Sequence, residues 1–367
     1  MDKKFVMGIA AMAALTLVSC SSDDLDSFSD NSSKNEAISF DGYLGRSAVA
    51  VNGTRGSEAT VETLKNKGFG VFGKYDAGDG NTSDFFVNQK VTYSNLKWTY
   101  SPLKFWPTQG HIDFLAYAPY KDGQTLKENT NTFDFTVEPE AANQIDLLWT
   151  NATGKISADL TSTTSTKEKV NFQFHHALSR LGYTVKLYGD NPSANLANNV
   201  TFTVNKITLA GSPDGTSKKA FYKTGTIDLS KSKANKAADL WSAETSDKNK
   251  QNYDLVSSAQ TLDQNGINSD KNYLFVIPQD FSGADELYVY VEYTINYGGT
   301  TGSVKNTVYK QIKKKFEQGK AYMLNLTLGR PIEFDVDVTG SPDAGVDGWG
   351  TDDDINIGSN DNLWDRK

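Results

Sequence analysis

Cys20 is the only cysteine in a chain of 367 residues, and it closes an apolar run, residues 5–18, that follows Lys3 and Lys4. As a helix the run is too short to cross a hydrocarbon layer of roughly 30 Å, and the small Ser19 before the cysteine suits peptidase access. Residues 1–19 therefore read as a cleavable leader, not a membrane span. Behind it there is no cysteine left for a disulfide or a thiolate metal site, so the fold must be held by buried apolar surface alone. The length is enough for two domains of ordinary size, each with a real core.

The residues available for those cores are aromatic and β-branched, divided by turns. Seventeen tyrosines, nineteen phenylalanines and six tryptophans stand among thirty glycines, a mixture that favours short strands over helical bundles. Period-two alternation begins at Ile38 and Phe40 and continues at 69–71, 85–87, 91–93, 97–100 and 112–118, with Gly, Asp, Asn and Pro between. A Ser/Thr/Lys stretch at 158–169 then precedes the alternating Val170-Asn171-Phe172-Gln173-Phe174. A second set of strands is expected at 182–187, 200–209, 273–278, 287–297, 308–312, 322–328 and 332–338. In the last two, Tyr322, Leu324, Leu326 and Leu328 share one face, as do Ile332, Phe334, Val336 and Val338. Residues 230–270 are polar and read as an exposed excursion with a short helix near 234–241. The expectation is an all-β chain of two domains, 37–175 and 176–367.

Cys20 with the residues before it resembles the bacterial lipobox, in which the thiol is acylated and becomes the new N-terminus. Residues 20–36 are rich in Ser, Asp and Asn and cannot repay the entropy of ordering, so they read as a disordered tether. Ser22-Asp23-Asp24 resembles the acidic export tag of Bacteroidetes surface lipoproteins; the alternative is a plain solvated linker. Losing a leader that carries Lys3, Lys4 and Asp2 takes the net charge from −8 to −9. That balance argues against nucleic acid, which needs a concentrated Lys/Arg surface, and an acidic protein on an anionic membrane depends on its lipid to stay there. The address is an outer-membrane lipoprotein at the cell surface.

Catalytic and metal signals are weak. Gly68-Phe69-Gly70-Val71-Phe72-Gly73 has the G-x-G-x-x-G spacing, yet its glycines alternate with strand residues and run into a turn, not into a helix that would meet a pyrophosphate. His175 and His176 are strand neighbours facing opposite ways, and the third histidine, His111, is remote in sequence. Asp343, Asp347, Asp352, Asp353 and Asp354 lack the ordering of a calcium loop. Neither a nucleophile elbow nor a defined carboxylate pair stands out. The expectation is no enzyme, no metal and no cofactor. Trp98, Trp106, Trp149 and Trp241 would serve either as core or as a sugar-stacking platform.

Several passages in order decide the reading. They are Val91-Thr92-Tyr93 through Trp98-Thr99-Tyr100, Phe105-Trp106-Pro107, His111-Ile112-Asp113-Phe114-Leu115-Ala116-Tyr117-Ala118-Pro119-Tyr120, Asp146-Leu147-Leu148-Trp149, Phe172-Gln173-Phe174-His175-His176-Ala177-Leu178-Ser179 and Gly319-Lys320-Ala321-Tyr322-Met323-Leu324-Asn325-Leu326. Together, behind a lipobox, they resemble the fimbrillin family of Bacteroidales, the subunits and accessory lipoproteins of type V pili. The resemblance implies two consecutive transthyretin-like β-sandwiches and partners that are other fimbrial subunits, with a host or bacterial surface ligand as a further option.

It also implies assembly by strand exchange: an Arg-directed protease cuts after the first strand, which leaves a groove for another subunit's terminal strand. Here that first strand would carry Ile38, Phe40 and Leu44. Arg55, among small residues, is the better cut site and Arg46 its rival. The third possibility is that neither is cut, since anchors of the family can keep their first strand. The candidate donor is the tail around Ile355 and Ile357, although Trp349 comes later than in typical members and 332–338 is an alternative last strand. The competing function is a monomeric carbohydrate-binding surface lipoprotein, for which a flat, solvent-facing pair of tryptophans would speak.

Overall fold

Where both faces of a strand are to be buried, alternation gives way to a continuous apolar run, and Phe114-Leu115-Ala116-Tyr117-Ala118 is such a run. It lies at the centre of the fold. The computed structural model describes residues 37–44, 58–155, 169–187, 200–232, 240–263, 265–269, 273–297, 302–328 and 334–340, all within one compact unit, Asn35–Lys367.

The first eight strands are β1 (Phe40–Leu44), β2 (Phe69–Asp76), β3 (Thr82–Ser94), β4 (Lys97–Thr99), β5 (His111–Ala118), β6 (Thr132–Thr136), β7 (Leu148–Lys155) and β8 (Val170–His176), with one helix, α1 (Val61–Lys67), ahead of β2. Seven of them form a sheet in the order β1-β8-β7-β5-β2-β3-β4. Every described neighbour pair is antiparallel except β1 with β8, which runs parallel from Phe40 opposite Val170 to Leu44 opposite Phe174. The sheet bends until its two ends meet, with Trp98 Nε1 of β4 donating to the Gly42 carbonyl of β1 at 3.1 Å. It thus encloses its own core, built from Phe40, Phe69, Phe86, Phe114, Phe172 and Phe174.

The outer face of the same strands supplies Phe72, Leu115, Tyr117 and Trp149 to a second, larger core. That core is completed by β9 (Ser179–Leu187), β10 (Thr201–Ala210), β11 (Phe221–Tyr222), β12 (Thr224–Asp228), β13 (Trp241–Ser242), β14 (Lys250–Gln251), β15 (Tyr253–Val256), β16 (Gln260–Leu262), β17 (Ile267–Asn268), β18 (Leu274–Val276), β19 (Gln279–Asp280), β20 (Tyr288–Asn296), β21 (Ser303–Gln311), β22 (Lys315–Phe316) and β23 (Ala321–Leu328), with β24 (Phe334–Gly340) beside β23. The larger sheets run β15-β10-β20-β21 and β17-β9-β23-β24, and β6 joins a third with β12 and β13. The chain is all-β, as its patterning requires.

Two expectations change. Residues 85–87 and 91–93 belong to one strand, β3, because Asn88 takes a positive φ of 45° and the ladder to β2 shifts there instead of turning back. Residues 230–270 are not simply an exposed excursion: β15 and β16 pair with β10 and bury Tyr253, Val256 and Leu262. Their apolar residues are spaced singly among polar ones, which hides strands this short. Of the expected helix near 234–241, residues 233–239 lie outside the described residues, and Trp241 opens β13.

α1 was not foreseen. Thr60 caps it, accepting from the Thr63 N–H at 3.2 Å, and Gly68 ends it at φ 68°, where a side chain would meet the Val91 carbonyl at 2.4 Å. The first glycine of the nucleotide-like spacing is therefore a helix stop at a close strand approach.

Candidate functional site

β1 and its seat form the site. Ile38, Phe40 and Leu44 alternate along the strand, and all three are buried, at 1%, 3% and 7% exposure. The Phe40 ring stacks on Phe172 at 5.6 Å and meets Phe86, Tyr100 and Phe114 at 5.3–5.6 Å between centroids. The strand is at the sheet's end, so its backbone has a full partner on one side only, the β8 ladder continued by Val170 N–H to the Ser39 carbonyl at 2.8 Å.

On its other side the strand is held by a clasp of residues 98–105. Ile38 N–H donates to the Lys104 carbonyl at 2.8 Å, Tyr100 Oη donates to the Ile38 carbonyl at 2.8 Å, and Trp98 Nε1 takes the Gly42 carbonyl. Burial pushes the Tyr100 phenol up, a hydrogen bond with the Lys104 backbone opposing it, so the phenol stays a donor. The strand is consequently tied by a backbone ladder along one edge and mostly by side chains along the other. Lifting it out would uncover apolar side chains and the β8 edge together.

The chain downstream is fastened separately. Ala59 N–H donates to the buried Asp146 carboxylate at 2.8 Å, which also lies 3.0 Å from His176 Nδ1. Glu58 pairs with the buried Arg180 guanidinium, which lies over the Tyr273 ring at 4.2 Å. Residues 58 and 59 are thus held by Arg180 on β9 and by Asp146 in the segment before β7, neither of which lies in the β1–β8 ladder. Asp146-Leu147-Leu148-Trp149 and His175-His176 were legible as motifs; that Asp146 and His176 meet was not, because thirty residues separate them.

His175 and His176 fall at neighbouring positions, and only His176 is buried. His111 lies 3.9 Å from Asp113. Among the described residues no three His, Cys, Asp or Glu come together as metal ligands would. Trp106 and Trp149 are buried, while Trp98 and Trp241 are half-buried and spend their indole N–H groups on the Gly42 and Ala177 carbonyls. No pair of flat, solvent-facing tryptophans exists among the described residues, so the feature that would favour a sugar platform is missing from them. Cys20, Arg46, Arg55, Ile355, Ile357 and the acidic cluster at 343–354 lie outside the described residues.

Residues 54–349 match the fimbrillin-like family. The chain belongs to that family. Over 390 aligned positions it is 27% identical to the fimbrium subunit Fim1C of Phocaeicola vulgatus, covering 95% of this chain and 97% of the relative. The fold is similar to the crystal structure of a fimbrial protein from Bacteroides vulgatus, with a TM-score of 0.60 at 22% identity over 86% of this chain and 99% of that one. This fimbrillin-like chain thus shares its fold with a solved fimbrial protein along almost the whole of that protein's length.

Proposed function

We propose that this chain is a structural or adhesive fimbrial subunit at the cell surface, exported as an outer-membrane lipoprotein precursor acylated at Cys20. It assembles with other fimbrial subunits when a protease cuts after Arg55, or alternatively Arg46, and β1 gives way to a partner's strand. No catalysis is involved, and the two sandwiches, 37–175 and 176–367, act as a passive scaffold.

The observation that carries this reading is the asymmetric hold on β1, whose buried Ile38, Phe40 and Leu44 sit on an edge strand with its own clasp, while Glu58 and Ala59 are fastened elsewhere. A cut between 44 and 58 would separate a removable strand from a chain that keeps its place. The matched family residues begin at 54, so they are nearly the ones a cut after Arg55 would leave. The relatives are fimbrial proteins, which agrees with a location at the cell surface.

Brief trypsin treatment of the folded precursor tests the cut. Sequencing of the resistant core should give Gly56 as the main new N-terminus and Ser47 as the minor one. A resistant core with neither terminus would refute processing in this segment. The anchor has its own test: Cys20→Ser should abolish palmitate labelling and leave an unprocessed precursor, and normal labelling of that variant would remove Cys20 as the acyl site.

A further inference from the structure

The clasp holds β1 through the Lys104 carbonyl, the Tyr100 hydroxyl and the Trp98 indole, and none of these ties uses the side chain of Leu103 or Phe105. Both side chains are nevertheless large and apolar, and they stand 58% and 48% exposed. Val87 on β3, 64% exposed, is their neighbour across the sheet. The clasp continues the β3–β4 hairpin antiparallel to β3, with Gln89 Nε2 donating to the Ser101 carbonyl at 3.2 Å and Lys104 Nζ donating to the Phe85 carbonyl. Val87, midway between Phe85 and Gln89, therefore falls opposite Pro102 and Leu103, and Pro102 is exposed too.

Apolar side chains exposed singly need no explanation, but a strip of them marks a contact surface. Of the seven large apolar residues exposed among the described residues, five lie on β1, on β3, in the turn after it or in the clasp, so the exposure is gathered around the β1 seat. The strip borders that seat at its Ala37 end, where Phe105 bridges Ala37 and the Lys104 carbonyl takes the Ile38 N–H. It lies downstream of Glu58, so it stays in place when β1 leaves.

We infer that Val87, Leu103 and Phe105 form a docking rim for the body of a second copy of this chain, the copy whose strand has replaced β1. The inference rests on the strand-exchange reading. A strand in the seat joins its own subunit past one of the seat's two ends, and the rim offers apolar surface beside one of them. Passing a strand from copy to copy is a head-to-tail contact, so the rim meets a different face of the next copy and not its own counterpart. Three partly exposed side chains offer far less than the roughly 800 Å² per partner of a stable interface. The rim thus adds to a docked strand and does not pair uncut chains by itself. A net charge of −9 after loss of the leader disfavours an anionic lipid surface as the occupant.

Leu103→Asp tests the rim, since a substitution at this exposed position should leave the melting of the uncut chain unchanged. After limited trypsin cutting the wild type should grow into larger species, whereas the variant should grow roughly tenfold more slowly or worse, the loss of an apolar anchor at an interface. Phe105→Ser is read in the same way, so that the result does not hang on one substitution. A third variant reads the contact itself. Trypsin removes Cys20 with the first 55 residues, so in cut Leu103→Cys protein the only thiol lies in the rim. Its maleimide labelling should be roughly tenfold slower in the grown species than in freshly cut monomer.

Equal growth of the wild type and both polar variants, or equal labelling in the two forms, overturns the rim and leaves strand exchange standing. Failure of the cut wild type to grow refutes strand exchange, and the rim falls with it. Unchanged growth, with uncut wild type binding phosphatidylglycerol vesicles that uncut Leu103→Asp does not, assigns the strip to lipid and overturns the second copy as occupant.

Discussion

Phe40→Ala is expected to loosen β1 from the precursor by about 3–5 kcal/mol, the cost of truncating a phenylalanine in a packed core. The ring is 3% exposed and contacts four others, from β3, β5, β8 and the clasp. Little can collapse into the gap, since the surrounding rings are themselves held by the bend of the sheet. Once the chain is cut, the same loss acts on an equilibrium between bound and released strand, and about 1.4 kcal/mol is tenfold. Cut Phe40→Ala protein should therefore shed its first strand at least a hundredfold more readily than the cut wild type. Denaturant titration of the uncut protein measures the first effect and fragment retention after digestion measures the second. A change below 1 kcal/mol would mean that Phe40 is not a main tie of the strand.

Complete loss of the strand has a larger consequence. Phe86, Phe114 and Phe172 lose the ring that covers them, and the edge of β8 from Val170 to Phe174 loses its ladder. Unpaired backbone beside exposed apolar side chains is a template for another strand. The cut protein should accordingly polymerise or take up an added donor. Burying a charge in such a seat is unfavourable enough that Ile355→Lys with Ile357→Lys should suppress polymerisation by the tail strongly, while the melting of the uncut protein stays unchanged. Full assembly by the doubly charged variant would dismiss the tail as the donor strand.

Much of this was legible along the chain. Ile38 and Phe40 announced a one-face-buried strand, and the alternation at 322–328 placed β23 to within a residue. The pattern failed where its physical basis is weak. β15 and β16 bury only one or two residues each, too few to establish a period in a polar stretch. β3 hides a bulge at Asn88, and a polar residue in mid-strand looks like a turn.

The site divides the same way. Ile38, Phe40 and Leu44 could be named because burial leaves a periodic trace. The clasp could not, since Trp98 Nε1 and Tyr100 Oη reach backbone carbonyls 56 and 62 residues away, and a backbone acceptor has no sequence signature.

The most direct test of the central claim is size analysis of the precursor before and after limited trypsin cutting, with and without a peptide of residues 352–360. Exchange of the first strand predicts a monomer before the cut, growth into larger species after it, and arrest of that growth when the peptide fills the seat. A cut protein that sheds residues up to Arg55, stays monomeric and binds no donor would contradict it.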